Sequence, residues 1–220
     1  MSSDGIILVD KPAGMTSFGV VARIRRVLSQ QAGKKVKVGH TGTLDPFATG
    51  LMILVTGAEC RNAGTYTKLD KVYEATFTLG QVSTTGDPEG EMTDVSAEQP
   101  ARERVEQALQ QFTGEIQQRP PIFSAIKING QRAYKLARDG KEVEIPERQV
   151  EVFSLEVLNY SYPELTIRTH VSSGTYIRSL GVDIGAALGT GAYCTQLRRT
   201  RIAEWDVADA QQLADYGIES

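Results

Sequence analysis

Cysteine is scarce in this chain of 220 residues: only Cys60 and Cys194 are present, and neither has a partner in a CxxC pattern. That excludes a disulfide-stapled scaffold and offers no case for a zinc site; two reduced, partly buried thiols are expected. Long apolar runs are missing too. None approaches the ~20 residues that span a bilayer. Met1-Ser2-Ser3-Asp4-Gly5 lacks a basic segment leading into an apolar one, so no secretory leader is read there. These absences lead us to expect a cytoplasmic protein with no membrane contact. An excess of positive charge is also lacking. The formal net charge is -3, which on its own speaks against a nucleic-acid binder.

What is present is ordinary globular material, 40% hydrophobic and 23% charged, enough for one large domain or two small ones. The charge is unevenly spread. Residues 1–86 hold ten Lys/Arg against six Asp/Glu, 87–160 hold nine against fourteen, and 161–201 hold five against two. The last nineteen residues carry five acids and no base. Two basic blocks could build one RNA face if the fold joins them, although uneven surface charge alone is common.

Gly5 to Asp10 reads as a short buried strand stopped by Lys11-Pro12. Thr16 or Ser17 then caps a helix to about Leu28, with Val20, Val21, Ile24, Val27 and Leu28 at helical spacing. Leu51 to Val55 is a second buried strand. Lys71 to Leu79 alternates, with Tyr73, Ala75, Phe77 and Leu79 on one face. Val82 to Ser96 reads as a polar loop, and Pro100 opens a helix that ends near Gly114. Pro120 to Ile128 is expected to be extended and Gln131 to Arg138 helical. Strands follow at Gln149–Leu158 and Leu165–Val171. Thr175 begins a helix with Ile177, Leu180, Ile184 and Leu188 inward, and a last strand spans Ala192–Arg199. The later strand pairs have connections too short for parallel crossovers, so the pattern predicts an α+β fold with a mixed, largely antiparallel sheet flanked by helices. No linker stands out. A single domain over 1–220 is expected, with 82–148 a candidate inserted subdomain.

One stretch carries chemistry: Gly39-His40-Thr41-Gly42-Thr43-Leu44-Asp45-Pro46-Phe47-Ala48-Thr49-Gly50-Leu51. Its three glycines in twelve residues allow backbone conformations closed to other residues. Pro46 biases Asp45 away from helical angles, so a carboxylate stands on a constrained loop between structured elements. Read alone, Asp-Pro is equally a simple turn whose carboxylate caps nearby amides.

The full string resembles the catalytic motif of the TruB-type tRNA pseudouridine-55 synthases. Other matches follow in family order: Asp10-Lys11-Pro12-Ala13-Gly14-Met15-Thr16-Ser17, then Lys71-Val72-Tyr73-Glu74-Ala75, and Thr84-Thr85-Gly86-Asp87-Pro88-Glu89-Gly90. Pro120 to Lys127, continuing through Gly130-Gln131-Arg132-Ala133-Tyr134, and Gly174 to Leu180 complete the set. Together they cover most of the chain to about Arg201.

The resemblance implies the pseudouridine synthase catalytic fold and isomerisation of a uridine at position 55 in the T loop of tRNA. It implies no metal and no other cofactor. By the same resemblance Asp45 is the catalytic carboxylate, Arg178 the arginine that pairs with it, and Tyr73 the ring that stacks on the target base. His40 fills the space left by the flipped base and Leu197 lines the pocket. Lys11, Lys127 and Arg132 are candidate RNA contacts. The expected partner is the T-arm stem-loop, with no obligatory protein partner and a monomeric state. The family usually continues into a PUA-type RNA-binding domain, of which no trace is evident before Ser220. Two rivals stand beside this reading: a tRNA-folding chaperone with secondary or no catalysis, and a guide-RNA-dependent pseudouridine synthase.

Overall fold

The computed structural model describes residues 4–124, 127, 128, 131, 132 and 145–218, and it divides into two compact units. The first comprises residues up to Glu74 together with Leu197 onward; the second is Ala75–Gln196.

In the first unit, β1 (Gly5–Lys11) pairs antiparallel with β3 (Thr49–Thr56), from Gly5 opposite Thr56 to Lys11 opposite Gly50. Nearly every residue of β3 is buried, as its unbroken apolar run requires. The short β2 (Val38–His40) pairs with the end of β3, while its beginning runs parallel to β12 (Ala192–Ile202) at Arg198 and Arg199. Leu51, Ile53 and Ile202 centre a core that Ile6, Leu8, Tyr66, Leu69 and Trp205 close. The α1 helix (Ser17–Ala32) starts at Thr16, whose Oγ1 accepts from the Gly19 amide at 3.0 Å. Expected to end near Leu28, it runs on to Ala32, because nothing in Ser29-Gln30-Gln31-Ala32 breaks it before Gly33 turns left-handed at φ 62°. Val20, Val21 and Ile24 are buried; Val27 and Leu28 are only partly so. A short α2 (Ala63–Thr67) precedes β4 (Lys71–Leu79).

In the second unit the strand order is β12-β4-β11-β10-β7. Here β10 (Arg148–Ser161) and β11 (Glu164–Val171) form a long antiparallel hairpin, and β7 (Gly114–Gln118) adds to β10. With β12 parallel to β3 and these pairs antiparallel, the α+β, mixed sheet is as expected. The region read as a polar loop contains the hairpin of β5 (Gln81–Ser83) and β6 (Met92–Asp94). The α3 helix is shorter than expected, Arg102–Gln110, and β7 was not foreseen. Only Ile116 in Gly-Glu-Ile-Gln-Gln is apolar, too little for a pattern. The α4 helix (Ile177–Leu188) buries Ile177, Leu180, Ile184 and Leu188, as its spacing predicts. It lies so close to β4 that a Cβ on Gly181 would come within 2.5 Å of the Phe77 ring. In the Pro120–Ile128 stretch, β8 (Lys127–Ile128) pairs with β9 (Gln131–Arg132). The expected helix at 131–138 is therefore a strand at Gln131–Arg132, and 133–138 lie outside the described residues. No helix among the described residues is long and apolar enough to cross a membrane.

Candidate active site

The loop carrying Asp45 joins β2 to β3 within the first unit, and its main chain is held on both sides of the carboxylate. Before it, the buried Ser17 hydroxyl accepts from the Leu44 amide at 2.8 Å and donates to the Leu44 carbonyl at 2.9 Å. After it, the Pro46 carbonyl accepts from the Gly14 amide at 2.8 Å and from Lys11 Nζ at 3.2 Å. The Asp45 carbonyl accepts from the Ala48 amide at 3.1 Å, closing a turn. Leu44 and Ala48 are buried, which leaves Asp45 half-buried between two anchors.

One guanidinium fastens both ends of this loop. Arg199, 1% exposed, donates from Nε to the Leu51 carbonyl at 2.7 Å and from Nη2 to the Gly42 carbonyl at 3.1 Å. Gly50 makes the close approach possible. Its φ is 108°, and a Cβ there would meet the Arg199 carbonyl oxygen at 2.2 Å.

Lys11 was expected at an RNA surface. The structure buries it completely and points its ammonium at three carbonyls, those of Pro12 (2.8 Å), Met15 (2.7 Å) and Pro46 (3.2 Å). A phosphate contact would require it to leave all three, so its place is beneath the Asp45 loop. Burial pulls its pKa down to about 8, Asp45 pulls the other way and Arg199 adds to the fall. Lys71 is likewise pulled down to about 8 by burial and then by Arg199, with Asp70 opposing.

Tyr73 is 7% exposed on β4 and Leu197 is 8% exposed on the neighbouring β12. His40 ends β2, half-buried, opposite Leu54. For Lys127 and Arg132 the structure gives the backbone alone: they are register partners across the β8–β9 hairpin.

Arg178 occupies the second position of α4 in the second unit, 3% exposed. Its Nη1 donates to Asp87 Oδ2 at 2.8 Å and to the Thr85 carbonyl at 2.9 Å, and Nη2 donates to the Phe123 carbonyl at 2.8 Å. Asp87 is itself fixed, since Oδ1 accepts from Thr85 Oγ1 at 2.6 Å and from the Glu89 amide at 3.0 Å. An acidic partner was expected for an arginine at a helix start, where the dipole disfavours it. The resemblance names Asp45 for that part; Asp87 as a further partner was missed and stood only as one letter of the Thr84–Gly90 match. Gln118 fixes the start of α4, accepting from the Tyr176 amide at 2.8 Å and donating to the Tyr176 carbonyl at 3.0 Å. Arg178 also lines a cavity of about 510 Å³ with Thr85, Arg119, Ile122, Phe123 and Asp183. Burial, with Glu147 nearby, pushes the Asp183 carboxyl up to about 6.

A loop built to hold one carboxylate between two backbone anchors invites comparison with known proteins. The model for the TruB family pseudouridylate synthase (N terminal domain) matches residues 25–177. The chain belongs to the TruB family. Asp45, Tyr73, His40 and Asp87 fall inside the matched segment. The "tRNA pseudouridine synthase B" of Azoarcus sp. (strain BH72) is 45% identical over 213 residues, 96% of this chain and 68% of that protein. The protein of the same name from Corynebacterium efficiens is 44% identical over 220 residues, 98% of this chain and 72% of its own length. Among solved structures, a chain of a Cbf5-Nop10-Gar1 complex superposes with a TM-score of 0.75 at 31% identity, covering 97% of this chain and 53% of that one. A chain of an H/ACA RNP bound to a substrate RNA containing 2'-deoxyuridine gives 0.70 at 28%, covering 99% and 57%. The TruB-family chain thus spans little more than half the length of those two.

Proposed function

We propose that this chain is a tRNA pseudouridine synthase acting on the uridine at position 55 of the T loop. The observation that carries the reading is the pinned Asp45 loop in a chain 45% identical to a protein named tRNA pseudouridine synthase B. In the proposed reaction the target nucleotide leaves its stack and enters the site. Asp45, ionised, serves the departure of N1 from C1′; the base turns, C5 bonds to C1′, the C5 proton is lost and N1 gains one. The result is an isomer, with no atom of the protein retained. Ser17, Lys11, Gly14 and Arg199 hold the carboxylate where the base arrives, so little is spent on ordering it at the moment of reaction.

Tyr73 stacks on the base, Leu197 walls the pocket and His40 fills the gap in the RNA stack. Arg178, held rigid by Asp87, supplies a fixed positive charge for Asp45. Lys127 and Arg132 contact phosphates. The enzyme works as a monomer in the cytoplasm, without an obligatory protein partner. Stand-alone action is favoured over guidance by an RNA because the 45% likeness to a tRNA enzyme exceeds the 31% and 28% likeness to chains from ribonucleoprotein assemblies.

The test is incubation of the purified protein with a T-arm stem-loop, followed by an assay for pseudouridine. Product at the T-loop uridine, without added guide, is expected. Tight binding with no product would leave the chaperone reading in its place, and product only with a guide RNA would assign the chain to the guided class.

A further inference from the structure

Phe18 is 64% exposed, the most exposed of the large hydrophobic side chains among the described residues. A lone phenylalanine on a surface is ordinary. Three observations set this one apart. Its ring carries a cation beside it: the Arg25 guanidinium carbon lies 6.0 Å from the ring centroid, at the edge of cation–π range. It follows Ser17, the residue that grips Leu44 next to Asp45, so the ring emerges beside the anchor of the catalytic loop. And it stands in a part of the chain from which acid is absent. From Lys11 to Leu44 there are seven Lys/Arg and no Asp or Glu, in a protein whose net charge is -3. Lys11 is buried, but Arg23, Arg26, Lys34, Lys35 and Lys37 are exposed.

On α1 the buried stripe is Ser17, Val20, Val21 and Ile24. Phe18 and Arg25, seven residues apart, share a side outside that stripe. A flat ring, an adjacent guanidinium and a run of chain that carries cations and no acid are what an unpaired nucleotide needs: a surface for the base and cations for its phosphates. A protein partner would gain nothing comparable from the missing acids.

We propose that Phe18 and Arg25 form a stacking platform for a nucleotide that flanks the target uridine in single-stranded RNA. The platform rests on the RNA-modifying reading above and adds a binding site to it. Phe18 takes the base by stacking, Arg25 reinforces the ring and reaches the adjoining phosphate, and the rest of the acid-free segment attracts the strand.

The test uses the full chain and a fluorescein-labelled T-arm stem-loop, reading Kd, salt dependence and pseudouridine yield for wild type, F18A, F18W and R25Q. F18A should weaken binding about tenfold, within the range for loss of one stacked base. F18W should keep wild-type affinity, and its indole emission, corrected for Trp205, should be quenched as RNA saturates. R25Q should lower the slope of log K against log salt by about one. Unchanged urea midpoints in all three variants are expected, since the side chains are on the surface. Wild-type affinity and KM in F18A, or no quenching in F18W at saturating RNA, overturns the platform while product formation by wild type leaves the proposed function standing. If wild type neither binds nor modifies the stem-loop, the function itself fails and the platform with it.

Discussion

Between β2 and β3 the protein grips main chain: Ser17 holds Leu44, Lys11 and Gly14 hold Pro46, and the Asp45 carboxylate is fixed through the residues on either side of it. At the start of α4 it grips a head group: Asp87, the Thr85 carbonyl and the Phe123 carbonyl bind the Arg178 guanidinium directly. The difference lies in what is held. Grips on main chain set the course of the loop and so position whatever side chain it carries. Grips on a head group offset a buried charge, and losing one leaves that charge uncompensated. Damage in the first region should therefore appear in turnover, and damage in the second chiefly in stability.

The sharpest break removes the group proposed to act. Asp45→Asn should lower turnover by on the order of 10⁴-fold or more while RNA affinity stays near wild type; single-turnover assays beside binding isotherms check this. Equal loss of both would make Asp45 a binding residue. In the second region, Asp87→Asn strands a buried cation, and a loss of ~3–5 kcal/mol is expected in urea unfolding. A midpoint close to wild type would mean that Asp87 does not hold Arg178. Ser17→Ala leaves the Leu44 amide and carbonyl without their partner, at ~1–3 kcal/mol. Its signature should be a kcat about 10–100-fold lower with KM little changed, because misplacing a reacting group by a fraction of an ångström affects chemistry more than binding.

Alkaline pH separates the two readouts more gently. Lys11 titrates near 8 in the folded protein and near its ordinary value of 10.5 in the unfolded chain. Between these values the unfolded chain binds more protons, so stability from this group rises with pH; Lys71 adds a contribution of the same sign. The neutral amine, however, has two protons for three carbonyls and no longer attracts Asp45. Turnover should thus fall to roughly half by the Lys11 pKa while the urea midpoint holds or rises. A parallel decline of both would point to general unfolding. The smallest expected effect is that of Thr16→Ala, about 1 kcal/mol from loss of the α1 cap. Its kcat should stay near wild type, in contrast to Ser17→Ala one residue away.

Local patterns were legible in the sequence and long-range partners were not. The β4 strand was read residue for residue, since alternation over nine positions depends on nothing distant. Asp45 was legible as a constrained carboxylate on glycines, proline and a family motif. The hold of Asp87 on Arg178 was not, because Asp87 lies 91 residues away in what read as a polar loop. Lys11 read as a surface cation because lysine is rarely interred. Only the three carbonyls gathered by Pro12, Met15 and Pro46 make its burial tolerable, and no spacing rule announces them. Gln118 was missed for a similar reason: its role at α4 needs a partner 58 residues on.

The reach of Arg199 has a consequence in time. It binds Leu51 across 148 residues of sequence and Gly42 across 157, and β12 must lie against Gly50 for it to do so. Closing so long a loop is slow compared with forming a helix or hairpin. During synthesis, the segment with Asp45 leaves the ribosome long before the arginine that fastens it. The Asp45 loop is therefore among the last parts to set, and a chain interrupted before Arg199 would carry Asp45 on a loop that nothing ties at Gly42 and Leu51.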